Sequence, residues 1–261
     1  MSSLEFTEAV AQRLEAVYIT PDVVEQRCRT LRAMNLRPGE RVLDIGSGPG
    51  LLAKDIAASV GAEGAVVGVD MSAPMTTIAR RRCEAFAWSR FEVADATLLP
   101  FDDASFDVGV ATQVYEYVTD IPAALAELHR VIRPGGRVVI VDTDYDSWVV
   151  HTSDAERFAR VRTAWDAHFV HAGLPRILIP ELRKAGFAVL AQEVIPMFNT
   201  EYHPNTYSYG MVQFVADFAA ADANVGPEEA NAWKADLEQL GERGEFFYSL
   251  NRYLFVAQRP A

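Results

Sequence analysis

Short apolar runs, each closed by an acid or a glycine, recur along the first half of the chain: RVLDI (41–45), AVVGVD (65–70), RFEVAD (90–95), FDVGVAT (106–112) and RVVIVD (137–142). Near-continuous runs of this length suit parallel strands covered on both faces. The stretches between them carry helical spacing. Leu51, Leu52, Ile56 and Val60 form one stripe, and Ile121, Leu125, Leu128 and Ile132 form another, stopped by RPGGR at 133–137. Strand–helix alternation predicts a doubly wound α/β domain whose ligand crevice lies at the carboxyl ends of the strands. Two later runs, FAVLAQEV (187–194) and RYLFVAQ (252–258), complete a seven-stranded, mostly parallel sheet with helices on both faces.

Two segments exceed what a minimal sheet needs. Residues 143–186 hold a helix opened by a capping box from Ser153 to Glu156, with the stripe Phe158, Val161, Trp165 and Phe169. Residues 195–250 hold the stripe Tyr207, Met211, Phe214, Phe218 and a helix around Trp233, Leu237 and Leu240. With no repeat or linker in sight, the chain reads as one domain, 1–261. Its helices at 1–36 lie over the site, its cofactor-binding core is 37–142, and the two insertions form a helical cap for the acceptor. Such a cap, or alternatively a dimer interface, accounts for the ring-rich content, and a homodimer stays open.

Composition narrows the partners. The formal charge is −12, the wrong sign for a nucleic-acid partner. No apolar run is long enough for a membrane span, and MSSLEFTEAV lacks the pattern of a secretory signal. Cys28 and Cys83 provide neither a disulfide framework nor metal-ligand spacing. The expectation is a cytoplasmic protein that needs no metal.

The chemistry concentrates at LDIGSGPG, residues 43–50. Its glycines follow GxGxG, not the GxGxxG of dinucleotide sites. Asp44 inside that turn would repel a pyrophosphate and suits a cofactor bearing an ammonium and a sulfonium. Asp70, ending the second strand, is placed to accept both ribose hydroxyls. Asp95, ending the third, could accept from an adenine amino group. A nicotinamide-dependent dehydrogenase is the reading these features disfavour.

The blocks VLDIGSGPG, VVGVDMS, VADATLLPFDDASFDV, ATQVYEYVTD and ELHRVIRPGGRVVI, in this order, resemble the class I S-adenosylmethionine-dependent methyltransferases, in particular the ubiquinone and menaquinone C-methylating type. The resemblance covers about Arg37 to Asp142 and leaves the acceptor unnamed. It implies that Gly46, Gly48 and Gly50 let the backbone pass the methionyl part, with Ser47 standing where many relatives have cysteine. It further implies that Asp44 serves the amino group, Asp70 the ribose, Met71 and Ala96 the adenine along with Asp95, and Thr112 and Gln113 the methionyl end. By the same resemblance, Tyr18 is an N-terminal aromatic that closes over the methionyl group. The acceptor would be small and aromatic or apolar. A methyltransferase-like protein that binds the cofactor for a regulatory or non-methylating purpose is the alternative.

Transfer from a sulfonium to an O–H, N–H or C–H acceptor needs a proton sink. Glu116, just after the fourth strand, is the candidate base, with Tyr115, His151 and Asp144 as alternatives. Tyr115, Asp144, Tyr145, Trp148, Tyr207 and Phe214 are the candidate acceptor contacts. Asp142 reads as a helix-initiating acid and His168 as a core histidine.

Overall fold

The computed structural model describes residues 8–261. The elements follow as α1 (Glu8–Tyr18), α2 (Pro21–Met34), β1 (Arg41–Ile45), α3 (Leu51–Val60), β2 (Ala65–Asp70), α4 (Ala73–Arg82), β3 (Ser89–Val93), β4 (Phe106–Thr112) and α5 (Ile121–Val131). They continue as β5 (Ile132–Val150), α6 (Ala155–Asp166), α7 (Pro175–Lys184), β6 (Ala188–Asn199), α8 (Tyr207–Ala220), α9 (Gly226–Glu242) and β7 (Tyr248–Gln258). The seven strands form one sheet in the order β3-β2-β1-β4-β5-β7-β6. β1 pairs in parallel with both β2 and β4, and β7 runs antiparallel to β5 and β6. The strand order therefore reverses between β1 and β4. In open α/β sheets the crevice outside such a switch point is where ligands bind.

Alternate residues of the central strands feed two apolar layers, as the period of two requires. Val42, Val66, Val108 and Val139 pack with Met34, Ile56 and Ala79 on one face. Leu43, Val67, Ile140 and Val138 pack with Leu125, Leu128 and Leu178 on the other. Asp44, Thr112 and Thr143, and Arg252 of the antiparallel β7 beside Thr143, fall on the parity of the first face, so polar groups replace valines there at the end of the sheet where the parallel strands finish.

The structure departs from the sequence-based expectation in four places. β3 ends at Val93, so Asp95 lies in the following loop, bridged to Leu98. β5 does not end at Asp142 but continues to Val150, paired with β7 through an irregularity between Asp144 and Val149. Asp142 thus sits inside a strand, fully buried, instead of initiating a helix. The sheet extension that β5, β6 and β7 build carries the cap. Within 143–186, only the segment around α6 belongs to that cap. α7 packs against α5 and covers the second face of the sheet. Likewise, within 195–250, residues 195–199 prolong β6 and 248–250 start β7.

The fourth departure is the start of α6. Asp154, not Ser153, is its N-cap and accepts from the Arg157 amide at 2.9 Å. Ser153 instead donates its own amide to Asp236 of α9 at 2.9 Å, tying two cap helices together. A carboxylate one residue later serves the orphan amides at least as well as a serine. α6, α8 and α9 pack on one another, and α8 also contacts α1 and α2. Trp233 lies at their centre with no solvent exposure.

Candidate cofactor and acceptor site

The loop after β1 turns through left-handed backbone at Gly46 (φ 65°), Gly48 (φ 51°) and Gly50 (φ 79°). These glycines do different work. A Cβ on Gly46 would come within 2.2 Å of Val114, and one on Gly50 within 2.8 Å of Ala79. A Cβ on Gly48 would meet nothing within 4 Å. Gly46 and Gly50 are needed for packing, while Gly48 faces open space. We expect Gly46→Ala to lose about 2–4 kcal/mol of stability, from left-handed strain plus overpacking. Gly48→Ala should lose only about 1–2 kcal/mol, from strain alone. Urea unfolding of the two variants checks the ordering; equal losses would contradict it.

Asp70 holds the loop from the end of β2. Its Oδ2 accepts from the Gly48 amide at 2.9 Å and its Oδ1 from the Ser72 amide at 2.8 Å. Each oxygen keeps a second lone pair for a ligand. Burial nonetheless raises the Asp70 pKa, with those amides pulling it back. Asp44, on the adjacent strand, is 2% exposed, and its Oδ2 has no hydrogen-bond partner. Desolvation, reinforced by the charge of Asp70, pushes its pKa up to about 8. Ser47 Oγ and Thr112 Oγ1, also buried, are without partners too. Buried polar atoms are nearly always bonded, so a group of unpaired ones around a glycine turn marks a place completed by something else.

Gln113 follows at φ 58°, its amide donating to Val141 at 2.7 Å and its side-chain oxygen accepting from the Thr143 hydroxyl at 2.5 Å. Such strain in a residue other than glycine is held by its surroundings and is common at functional sites. Asp95 Oδ1 accepts from both the amide and the hydroxyl of Thr97 at 2.8 Å. Ala96 is buried, whereas Met71 is 74% exposed at the rim.

Beyond the loop, a short 3-10 turn over Tyr115–Tyr117 places Glu116 and Tyr117 on the crevice floor. Glu116 is 1% exposed; its Oε2 accepts from the Thr143 amide at 3.3 Å. Burial raises its pKa to about 7 despite that bond and the nearby Arg252 charge. Asp142, which accepts from the Val114 amide at 3.1 Å, is pushed well up by burial and by Glu116. Tyr117 keeps 43% of its surface open, yet desolvation drives its phenol pKa well up. That combination describes a ring lining a cleft. Tyr18 reaches in from α1 between Asp70 and Arg252, its phenol pushed up to about 12, chiefly by burial. Tyr145 and Tyr207 close the walls, both buried.

The crevice therefore gathers Tyr18, Asp44, the glycine loop, Asp70, Thr112, Gln113, Glu116, Tyr145 and Tyr207. Other candidates lie elsewhere. Tyr115 is fully buried in the opposite apolar layer with Leu43 and Ile45, because the turn directs adjacent side chains to different sides. Asp144 is bound to Arg176 at 2.9 Å and caps its own loop through the Asp146 amide. Trp148 fills the cap interior against Phe158, Trp233 and Tyr248. Phe214 sits beneath Arg13 of α1, whose guanidinium carbon is 4.7 Å from the ring centroid. His151 bonds the Glu245 carbonyl at 2.8 Å, and His168 packs against Trp165 and Tyr117 with its pKa lowered to about 4 by burial. Arg252 and Tyr117 are crevice residues that the sequence reading did not single out, and Asp142, read there as a helix-initiating acid, is buried against the Val114 amide. The signal for Arg252 was its parity with Leu250 and Leu254, visible only once β7 is known to begin at Tyr248.

Among the described residues, no group of His, Cys, Asp or Glu side chains is disposed to hold a metal, and no helix is long and apolar enough to cross a membrane.

Residues 43–140 match the family described as a methyltransferase domain. An uncharacterized 37.1 kDa protein of transposon TN4556 from Streptomyces fradiae is 34% identical over 229 residues, covering 87% of this chain and 65% of that protein. A ubiquinone/menaquinone biosynthesis C-methyltransferase of Coxiella burnetii is 46% identical over 110 residues, 41% of this chain and 44% of the enzyme. The chain thus spans less than two thirds of these relatives' lengths. In structure it is similar to phosphoethanolamine N-methyltransferase 2 of Haemonchus contortus in complex with S-adenosyl-L-methionine, with a TM-score of 0.66 and 23% identity. That match covers 99% of this chain and 58% of the other. The chain thus carries a stretch similar to a methyltransferase domain at residues 43–140, and over nearly its whole length it shares the fold of this solved methyltransferase.

Proposed function

We propose that this protein is an S-adenosylmethionine-dependent methyltransferase acting on a small, ring-bearing organic acceptor. The observation that carries the reading is the unpartnered, buried Asp44 carboxyl beside a Gly48–Asp70–Ser72 cradle that a Cβ would not fill. A carboxylate there fits an ammonium and would repel the pyrophosphate of a dinucleotide. When bound, S-adenosylmethionine supplies a methyl group already activated on a sulfonium.

The chain's own residues then have defined tasks. Asp44 would hold the amino group, Thr112 and Gln113 would line the methionyl end, and Asp70 would accept from the ribose hydroxyls. Met71, Ala96 and Asp95 would meet the adenine. Tyr18 and the α6–α8–α9 cap would exclude water and restrict the acceptor to an in-line approach. Glu116, raised to about 7, would take the acceptor's proton at its carboxylate oxygen near neutral pH.

Incubation with methyl-labelled S-adenosylmethionine and a fractionated cell extract tests the reading: a labelled small organic product is expected. Cofactor binding with no transfer to any fraction would overturn it, as would tighter binding of NAD than of S-adenosylhomocysteine.

A second test follows from the Asp44 carboxyl. With its pKa pushed up to about 8, it is largely protonated at pH 7. An ammonium placed against it favours the ionised form. Binding of S-adenosylhomocysteine at pH 7 should therefore release close to one proton, and the calorimetric heat should depend on the buffer's ionisation enthalpy. Asp44→Asn should abolish that dependence and weaken binding by roughly tenfold or more, the scale of a charge-assisted bond. A wild-type heat that is the same in all buffers would contradict the placement of Asp44.

A further inference from the structure

Arg252 enters the crevice from β7 on the same face as Thr143, its register partner on β5. It is 4% exposed. Its guanidinium carbon stands 4.7 Å from the Tyr207 ring centroid, and one terminal nitrogen donates to the side-chain oxygen of Gln26 on α2. Its Nε has no hydrogen-bond partner. No carboxylate among the described residues lies within ion-pair distance of it. Glu116 feels its charge from across the crevice without reaching it.

A guanidinium does not lose its proton in proteins. Buried and unpaired, it is unfavourable unless a counter-charge arrives. Here Gln26 takes one N–H of one terminal nitrogen, the Tyr207 ring stands 4.7 Å from the guanidinium carbon, and Nε has no protein partner, so the fork is held at one edge with several of its five donors to spare. We propose that Arg252 is the specificity residue of the acceptor site and that the acceptor is a ring-bearing carboxylate, its anionic oxygen bound by this guanidinium. A monoanion is favoured over a phosphate ester by the site's own charges. Arg252 supplies a single positive charge beside the Glu116 carboxyl, so the second charge of a dianion would be left unmatched. The ring is called for by the aromatic surroundings: Tyr145 and Tyr207 are buried around the guanidinium, and Tyr117 keeps 43% of its surface open at the crevice.

Calling this ligand the acceptor rests on the methyl-transfer reading; the anion site itself does not. The test is calorimetric titration of benzoate, 4-hydroxycinnamate and 2-naphthoate, each against its neutral methyl ester, with and without S-adenosylhomocysteine. At least one acid is expected to bind roughly tenfold tighter than its ester, the scale of one charge-assisted bond. Arg252→Gln should remove the preference and Arg252→Lys keep part of it, with S-adenosylhomocysteine affinity within about threefold of wild type. No acid outbinding its ester in the wild-type protein overturns the proposal, whether or not either variant folds. So does a preference that survives in folded Arg252→Gln. Failure of S-adenosylhomocysteine to bind would instead overturn the cofactor reading, and the titrations without it would still decide the anion site.

Discussion

Replacing Asp70 by alanine is expected to weaken S-adenosylmethionine binding on the order of 10²-fold or more. Two effects add. On the proposed reading the carboxylate would accept from two ribose hydroxyls, and each charge-assisted bond contributes about 1.5–3 kcal/mol. The loss of about 3 kcal/mol already corresponds to roughly two decades in affinity. The same carboxylate receives the Gly48 and Ser72 amides, so its removal also frees the loop that forms the cradle. Asp70→Asn separates the two effects, because its single carbonyl oxygen can retain one of those amides while the negative charge is gone. Calorimetric affinities for both variants, with circular dichroism to confirm the fold, provide the check. An Asp70→Ala affinity within threefold of wild type would remove the ribose role from this residue.

How much of this site was legible beforehand depended on where each residue lies along the sheet. β1, β2 and β4 are central, covered on both faces, and read as apolar runs whose polar ends mark the crevice. The glycine turn and its acids follow from those ends. β5 was harder. Its continuation from Thr143 to Val150 contains four polar side chains, because it leaves the two-sided core and enters a three-stranded extension where one face meets the cap. An acid at the assumed end of a strand, Asp142, looks like a helix start; within a longer strand it becomes a buried partner of the Val114 amide. β6 conceals its extent for a related reason. As the sheet edge it is exposed over most of Ala188–Val194 and buried only later. Arg252 was hidden by this same foreshortening. At the first position of an assumed strand a charge reads as solvated, whereas four residues inside β7 it points at Tyr207. Tyr115, Trp148 and Phe214 show the converse: an aromatic near a crevice in sequence can be directed into either apolar layer, and only the backbone direction decides.

Glu116→Gln is expected to lower kcat by about 10²–10⁴-fold, the usual contribution of a general base, with cofactor affinity little changed. The pH behaviour makes the expectation specific. Glu116 must be ionised to accept a proton, and burial holds its pKa at about 7. Wild-type turnover should therefore rise with pH up to about 7 and level off above it, with Asp142, pushed well up by burial and by Glu116, keeping its proton longer. The glutamine variant should lose that rise. Stability should shift in the opposite sense. In the unfolded chain the carboxyl ionises near its ordinary value of 4.5, and in the folded protein only near 7. Between these values the folded state binds more protons, so stability falls as pH increases and stays lowered above the window. The uncharged glutamine carries no such penalty. Relative to wild type, Glu116→Gln should gain stability at pH 8 compared with pH 4, while losing activity. Urea unfolding at the two pH values and a kcat profile from pH 5 to 9 test both halves. A variant that keeps the wild-type pH profile would transfer the role of base to another group. One that loses activity but shows no pH-dependent change in relative stability would place the Glu116 carboxylate in water, contrary to its burial.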